Sequence, residues 1–175
     1  MTDLTLFETD RLVLSGWRAD QIDDLYRLHG DPVVARYLTG HGKPWTKEQM
    51  DNALASWIAL FARQKMGKLR VTRKSDGALV GRCGFGLEGE EEIPEIGYSL
   101  FPEFWGNGYA YEAACGVRDW YWRETDRPFF IGMADVRNEP SLKVLRKIGG
   151  VYTHTGPNDH DHNCEWYRYD RPAAA

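Results

Sequence analysis

The segment Pro102-Glu103-Phe104-Trp105-Gly106-Asn107-Gly108-Tyr109-Ala110 carries the strongest chemical signal in the chain. It joins a strand-like run to the start of a helical one. The first N–H groups of a helix have no intrahelical partner and sit at the positive end of the helix dipole, so such a junction attracts anions, phosphate above all. Gly106 and Gly108 let a ligand approach the backbone closely and permit positive φ. Two phosphate loops are excluded. A Walker A loop ends in Gly-Lys-Ser/Thr, which is absent, and the dinucleotide fingerprint needs Gly or Ala where Tyr111 stands. The plain alternative is a glycine-containing loop that only turns a corner.

Two other clusters hold reactive residue types. Asn138 and Ser141 lie three apart, on one face of a first helical turn, although Asn is also a good N-cap and Ser is common in first turns. The run His154-Thr155-Gly156-Pro157-Asn158-Asp159-His160-Asp161-His162-Asn163-Cys164 is rich in metal-ligand types. Its spacing matches no established site, so it reads as a polar hairpin loop and no metal is expected.

The elements that must position these residues follow from periodicity. Thr5–Leu14 reads as an opening strand with Leu12 and Leu14 on one face. Asp20 caps a short helix carrying Ile22, Leu25, Tyr26 and Leu28, and Asp31 caps a shorter one around Val33–Tyr37. Thr46 with Gln49 has capping-box spacing, ahead of an apolar stripe through Met50, Ala53, Leu54, Trp57, Ile58 and Phe61. Strands follow at Lys68–Arg73, Ala78–Leu87 and Glu92–Phe101. Next come a helix with Ala110, Ala113, Ala114, Val117, Trp120 and Tyr121 inward, a strand at Phe129–Val136 and a helix at Glu139–Ile148. Closing strands are expected near Val151–His154 and Cys164–Tyr169. This order describes a mixed α/β fold built on one central sheet, not a regular βαβ repeat.

A chain of 175 residues with 42% hydrophobic and 27% charged residues fits a single globular domain, taken as 1–170, with a loose tail over 171–175. A net charge of −4 without a basic block argues against nucleic acid as a partner. The aromatic runs Trp120-Tyr121-Trp122 and Trp166-Tyr167-Arg168-Tyr169 are accordingly assigned to packing. Cys83, Cys115 and Cys164 are odd in number and lack CxxC spacing, which suits a reduced, cytoplasmic setting. The start lacks the pattern of a signal peptide, and no apolar stretch is long enough to span a bilayer.

The run Glu95-Ile96-Gly97-Tyr98-Ser99-Leu100-Phe101-Pro102-Glu103-Phe104-Trp105-Gly106-Asn107-Gly108-Tyr109-Ala110-Tyr111-Glu112-Ala113 resembles the acetyl-CoA-binding motif of the GNAT N-acetyltransferase superfamily. Within that superfamily it is similar to the subgroup holding the bacterial ribosomal-protein alanine N-acetyltransferases. Glu8-Thr9-Asp10-Arg11-Leu12-Val13-Leu14 resembles the subgroup's opening strand. Asn138-Glu139-Pro140-Ser141-Leu142-Lys143-Val144-Leu145-Arg146-Lys147-Ile148-Gly149 resembles its Asn-x-x-Ser helix. The likeness spans roughly residues 8–152 in the family's order. Departures are Trp105 in place of Gln or Arg, Gly150 in place of an aromatic residue, and Gly16 in place of Arg.

The resemblance implies an acyl-CoA N-acyltransferase fold, with a mostly antiparallel sheet splayed after its fourth strand and flanked by helices. It implies acetyl-CoA as cosubstrate, gripped by the backbone N–H groups of Gly106, Asn107, Gly108, Tyr109 and Ala110, with Trp105 also among the cofactor-binding residues and pantetheine pairing to a bulged strand at Ser99, Leu100 and Phe101. It places Asn138 against the pantetheine and Ser141 near the sulfur, where a hydroxyl protonates the leaving thiolate. Glu95 matches an acidic position that acts through water as general base, although beside Glu90, Glu91 and Glu92 it also reads as a solvated strand-end carboxylate. Tyr98, Tyr109 and Tyr111 are rival acids or pocket-wall aromatics.

The implied activity is direct transfer of acetyl in a ternary complex to a primary amine. At pH 7 deprotonating an α-amino group costs about 1.1 kcal/mol and a lysine about 4.6 kcal/mol, which favours an α-amino acceptor on a protein, peptide or amino-acid-like molecule. The alternatives are a non-catalytic CoA-binding module and an antibiotic or polyamine acetyltransferase. No membrane partner is expected, and a homodimer is compatible with all three.

Overall fold

The structure, a computed structural model, describes residues 4–38, 42–158 and 163–173. Its strands are β1 (Thr5–Glu8), β2 (Leu12–Ser15), β3 (Lys68–Arg73), β4 (Leu79–Glu88), β5 (Ile93–Leu100), β6 (Phe129–Asp135), β7 (Val151–Pro157) and β8 (Asn163–Asp170). They form an 8-stranded sheet in the order β1-β2-β3-β4-β5-β6-β8-β7. Every neighbouring pair is antiparallel except β5 with β6. The helices are α1 (Ile22–His29), α2 (Pro32–Ala35), α3 (Lys47–Gln64), α4 (Tyr109–Glu124) and α5 (Glu139–Lys147).

Local signals decide most of these boundaries. The Asp31 side chain accepts from the Val33 N–H to cap α2. Thr46 accepts from the Gln49 N–H while the Gln49 side chain accepts from the Thr46 N–H, completing the capping box of α3. Two expectations need correction. The opening segment is a hairpin, because Thr9 breaks it: its N–H donates to Leu12 O at 2.9 Å, and its hydroxyl accepts from the Leu12 N–H at 3.1 Å. Asp20 caps nothing; it lies in a 3₁₀ turn over Ala19–Gln21, where the Arg18 N–H donates to the Gln21 side chain.

The sheet parts in one place. β5 and β6 pair only at Glu95–Ile131 and Ile96–Gly132. Beyond Ile96, β5 stays on β4 in unbroken register from Ile93 to Leu100, while β6 is held to β8 along its whole length. The gap is therefore made by two strands following different partners, and the bulge implied by the resemblance is absent from the β4–β5 register. It opens after β5, which is the fourth strand expected from the sequence, where the opening segment counts as one.

One face of the sheet packs on α4 and α5 around Phe85, Tyr121, Phe130 and Tyr169, with Phe130 and Tyr169 stacked at 4.4 Å. Burial of each such side chain contributes roughly 1.5–3 kcal/mol. The other face meets α1 and α3 through a smaller cluster that includes Trp17, Leu25, Met50 and Leu54.

Candidate active site

The predicted anion turn is open. Gly106 and Gly108 have φ +75° and +79°, which turns the chain into α4 through the left-handed region. The first α4 bond runs from the Glu112 N–H to Gly108 O at 3.0 Å, and the N–H groups of Gly106 through Tyr111 have no acceptor among the described residues. The Asn107 side chain closes the turn from outside by donating to Phe104 O and Trp105 O. A side chain built on Gly106 would meet nothing within 4 Å.

Arg11, which the sequence offered only as part of a strand, braces this turn. Its Nε donates to Glu112 Oε2 at 2.6 Å, its Nη1 to Asn107 O at 3.1 Å, and its guanidinium lies 4.5 Å from the Tyr109 ring. The Thr9 hydroxyl also donates to Glu112, so β1, β2 and α4 are tied together at the mouth of the turn.

Of Ser99, Leu100 and Phe101, only Leu100 turns its backbone polar groups toward the gap. The Phe101 N–H donates to Val80 O at 3.0 Å, and the alternation of an antiparallel ladder sends those of Ser99 the same way, into β4. Tyr98 and Leu100 face the opposite side, where β6 has departed. The indole N–H of Trp105 occupies Leu100 O at 2.8 Å, which gives the residue replacing Gln or Arg a structural use.

Side chains bracket the gap from both faces. On the α5 side the Ser141 hydroxyl lies 2.9 Å from Tyr98 Oη, which also donates to Ser141 O at 2.9 Å. Asn138 is the N-cap of α5, its side chain accepting from the Ser141 N–H at 3.3 Å. Burial raises the Tyr98 phenol above its ordinary value, so it remains a proton donor at neutral pH. On the α3 side Glu95 does not dangle in solvent: its Oε2 accepts from Lys68 Nζ at 2.6 Å, with side-chain exposures of 14% and 11%. Burial pulls Lys68 below the ordinary lysine value, and Glu95 pulls it back up. A methyl group on Gly97 would lie 2.6 Å from Lys68 Nζ, so glycine there is the space through which the lysine reaches Glu95.

Glu95 adjoins a cleft of about 570 Å³ between Ser56, Trp57, Leu60 and Arg63 of α3 and Gly86 and Leu87 of β4. A side chain at Gly86 would come 3.7 Å from Glu95 Oε2. Deeper on this face His29 is fully buried, its Nε2 accepting from Arg82 Nε at 2.8 Å. Burial, with Arg82 and Lys68 nearby, holds His29 well below its ordinary value of 6.5. The unfolded chain takes up a proton at His29 below pH 6.5 that the folded protein refuses. Stability is thus full above pH 6.5 and is lost as pH falls toward the folded-state value, at up to about 1.4 kcal/mol per pH unit. Urea unfolding is expected to show a loss of about 2 kcal/mol between pH 7 and 5, and His29→Gln should flatten that slope.

Two of the thiols are poorly suited as nucleophiles: Cys83 is fully buried, and burial pushes it up to about 12; Cys164 is likewise pushed up to about 11. His154 stacks on Trp166 at 5.5 Å, while residues 159–162 of the His/Asp loop lie outside the described residues. Among the described residues no helix is long and apolar enough to cross a membrane.

A sheet that parts beside an open amide turn at a helix start is the architecture that the sequence resemblance implies for an acyltransferase. The family model of the acetyltransferase (GNAT) domain matches residues 11–151, and the chain belongs to that family of acetyltransferases. The chain is 29% identical over 163 residues to the uncharacterized protein YkkB of Bacillus subtilis, covering 89% of this chain and 90% of that one. It is 26% identical over 145 residues to the uncharacterized N-acetyltransferase YoaA of the same organism, covering 82% and 81%. Among solved structures, an acetyltransferase from Agrobacterium tumefaciens superposes with a TM-score of 0.80 at 24% identity, covering 97% and 95% of the two chains. RimL, a ribosomal L7/L12 α-N-protein acetyltransferase in complex with coenzyme A, superposes at 0.78 with 18% identity, covering 99% and 100%.

Proposed function

We propose that the protein moves acetyl from acetyl-CoA directly to a primary amine, an α-amino group of a protein, peptide or amino-acid-like molecule, in the manner of the ribosomal-protein acetyltransferases. The observation that carries this reading is the placement of a carboxylate and a hydroxyl pair on opposite faces of the gap: Glu95 on the α3 side, Ser141 with Tyr98 on the α5 side.

In this reading the free N–H groups of Gly106 through Ala110 hold the CoA pyrophosphate. The backbone of Tyr98 and Leu100 pairs with the pantetheine, and an N–H facing the gap polarises the thioester carbonyl. Asn138 holds Ser141 at the start of α5, beside the pantetheine. The amine enters by the cleft, and Glu95 takes its proton through water. The amine nitrogen attacks the carbonyl carbon, the C–S bond breaks, and the thiolate receives a proton from Ser141 or Tyr98. The second proton, shed by the nitrogen as the amide forms, restores that hydroxyl through solvent. The dry packing of Cys83 fits direct transfer without an acyl-enzyme intermediate.

Free-thiol release from acetyl-CoA across a panel of α-amines, lysine derivatives and polyamines tests the reading. Acetylation of peptide α-amines supports it, whereas tight CoA binding without thiol release would make the protein a binding module. Within the active enzyme, Tyr98→Phe is expected to lower kcat about tenfold with little change in KM for acetyl-CoA, because Ser141 remains as a second donor. Ser141→Ala should act similarly, and the double variant more than either.

A further inference from the structure

We infer that Arg82, together with Ser99 and His29, forms a seat for a carboxylate carried by the acceptor, so that the preferred substrates are amines bearing an acidic group. The inference rests on the reading of the Glu95 face as the acceptor side, and it names the substrate class of that site.

Charge pairing on this face is incomplete. Lys68 has Glu95 at 2.6 Å and Arg70 has Asp24 at 2.9 Å, but Arg82 has no carboxylate within ion-pair distance among the described residues. It is 5% exposed, donates Nε to the neutral His29, lies 5.3 Å from the Trp57 ring, and leaves Nη1 without a partner. A guanidinium keeps its charge in proteins, and a buried charge without a counter-ion is costly enough to mark a function.

The neighbouring unpartnered groups share one chemistry. Ser99 Oγ, His29 Nδ1 and Arg70 Nε are buried and unbonded as well. Because His29 Nε2 accepts from Arg82, the proton of the neutral ring sits on Nδ1, making it a donor. All of these atoms can donate and none has a partner among the described residues, while the Glu95 carboxylate acts on Arg82 only from beyond ion-pair distance. Arg70, Arg82 and Ser99 stand in direct cross-strand register on β3, β4 and β5, which puts the Cβ atom of Arg82 about 4.5–5.5 Å from that of each neighbour on one face. Such a cluster of unpartnered donors suits a carboxylate, which accepts through both oxygens.

Position ties the seat to the acceptor path. Trp57 walls the cleft beside Glu95, and the same indole covers Arg82 and lies 6.0 Å from His29. For cleft and seat to join, that indole must turn aside. Ser99 lies four residues along β5 from Glu95, roughly 13 Å at strand rise, so an amine near the thioester and an acidic group at the seat fit one extended molecule.

The test compares alanyl-alanyl-glutamyl amide with alanyl-alanyl-glutaminyl amide as acceptors, which differ in one carboxylate carried about 11–13 Å from the α-amine in an extended peptide. The expected kcat/KM ratio is at least tenfold in favour of the glutamyl peptide, falling to about one in Arg82→Gln. Should that variant fail to fold, Ser99→Ala serves instead and is expected to narrow the ratio several-fold. Equal turnover of both peptides by the parent enzyme, or a ratio unchanged in Arg82→Gln, overturns the inference while leaving the acetyltransferase reading intact. If neither peptide is acetylated, peptide transfer itself fails, and binding decides the seat. Thermal stabilisation of the CoA-saturated protein by the glutamyl peptide alone, lost in Arg82→Gln, upholds it; equal stabilisation overturns it. Stabilisation by acetate or chloride without any glutamyl preference means a free ion fills the seat and likewise overturns the inference.

Discussion

Replacing Gly108 by valine is expected to raise the dissociation constant for CoA about 100-fold while the protein stays folded. Gly108 has φ +79°, where a β-branched residue is strained by roughly 1–3 kcal/mol. The cheapest relief is a local rotation of the turn, which swings the N–H groups of Gly108, Tyr109 and Ala110 away from a common target. Those groups have no protein partner to lose, so the penalty falls on the ligand, not on the fold. Space is not limiting: a Cβ at Gly108 meets only Arg11 Nη2, at 3.6 Å. Gly108→Ala should fall between the two, being strained without the second branch. Isothermal titration with CoA and thermal unfolding separate the two effects. An undiminished CoA affinity in folded Gly108→Val would remove the turn from the binding site.

That turn was legible in the sequence because its signal is local. Two glycines, a strand before and an apolar helical stripe after suffice to place it, just as Thr46 with Gln49 places the start of α3. The partners that define the rest of the site are distant along the chain. Lys68 and Glu95 are 27 residues apart, Tyr98 and Ser141 43, His29 and Arg82 53. No periodicity brings such pairs together; only the sheet register does. Glu95 in the sequence therefore resembles its acidic neighbours, and its burial against an ammonium becomes visible only once β3 and β5 flank β4. The departures from the family pattern are of the same kind. A Cβ at Gly16 would strike the Phe61 ring at 2.7 Å, and one at Gly150 would lie 2.6 Å from Tyr169 Oη, so distant aromatics dictate glycine at both.

The Lys68–Glu95 pair gives the second large effect, and its two halves are expected to differ. Lys68→Met leaves a carboxylate that is 14% exposed without its counter-ion, which should cost about 3–5 kcal/mol of stability. Glu95→Gln leaves an ammonium that burial already disposes to release its proton, so the cost there should be smaller, about 1–3 kcal/mol. Combining Lys68→Met with Glu95→Gln removes both charges and should recover much of the loss, with a coupling energy of about 2–3 kcal/mol in a double-mutant cycle by urea denaturation. Activity should not follow stability. If Glu95 takes the proton from the amine, Glu95→Gln and the double variant should both lose about 100- to 1,000-fold in kcat, whatever their unfolding midpoints. The lysine is then a positioning residue, fixing the carboxylate beside Gly97 through its 2.6 Å contact. A double variant that regains turnover along with stability would show that the pair only holds β3 to β5, and the base would have to be sought elsewhere on the cleft wall.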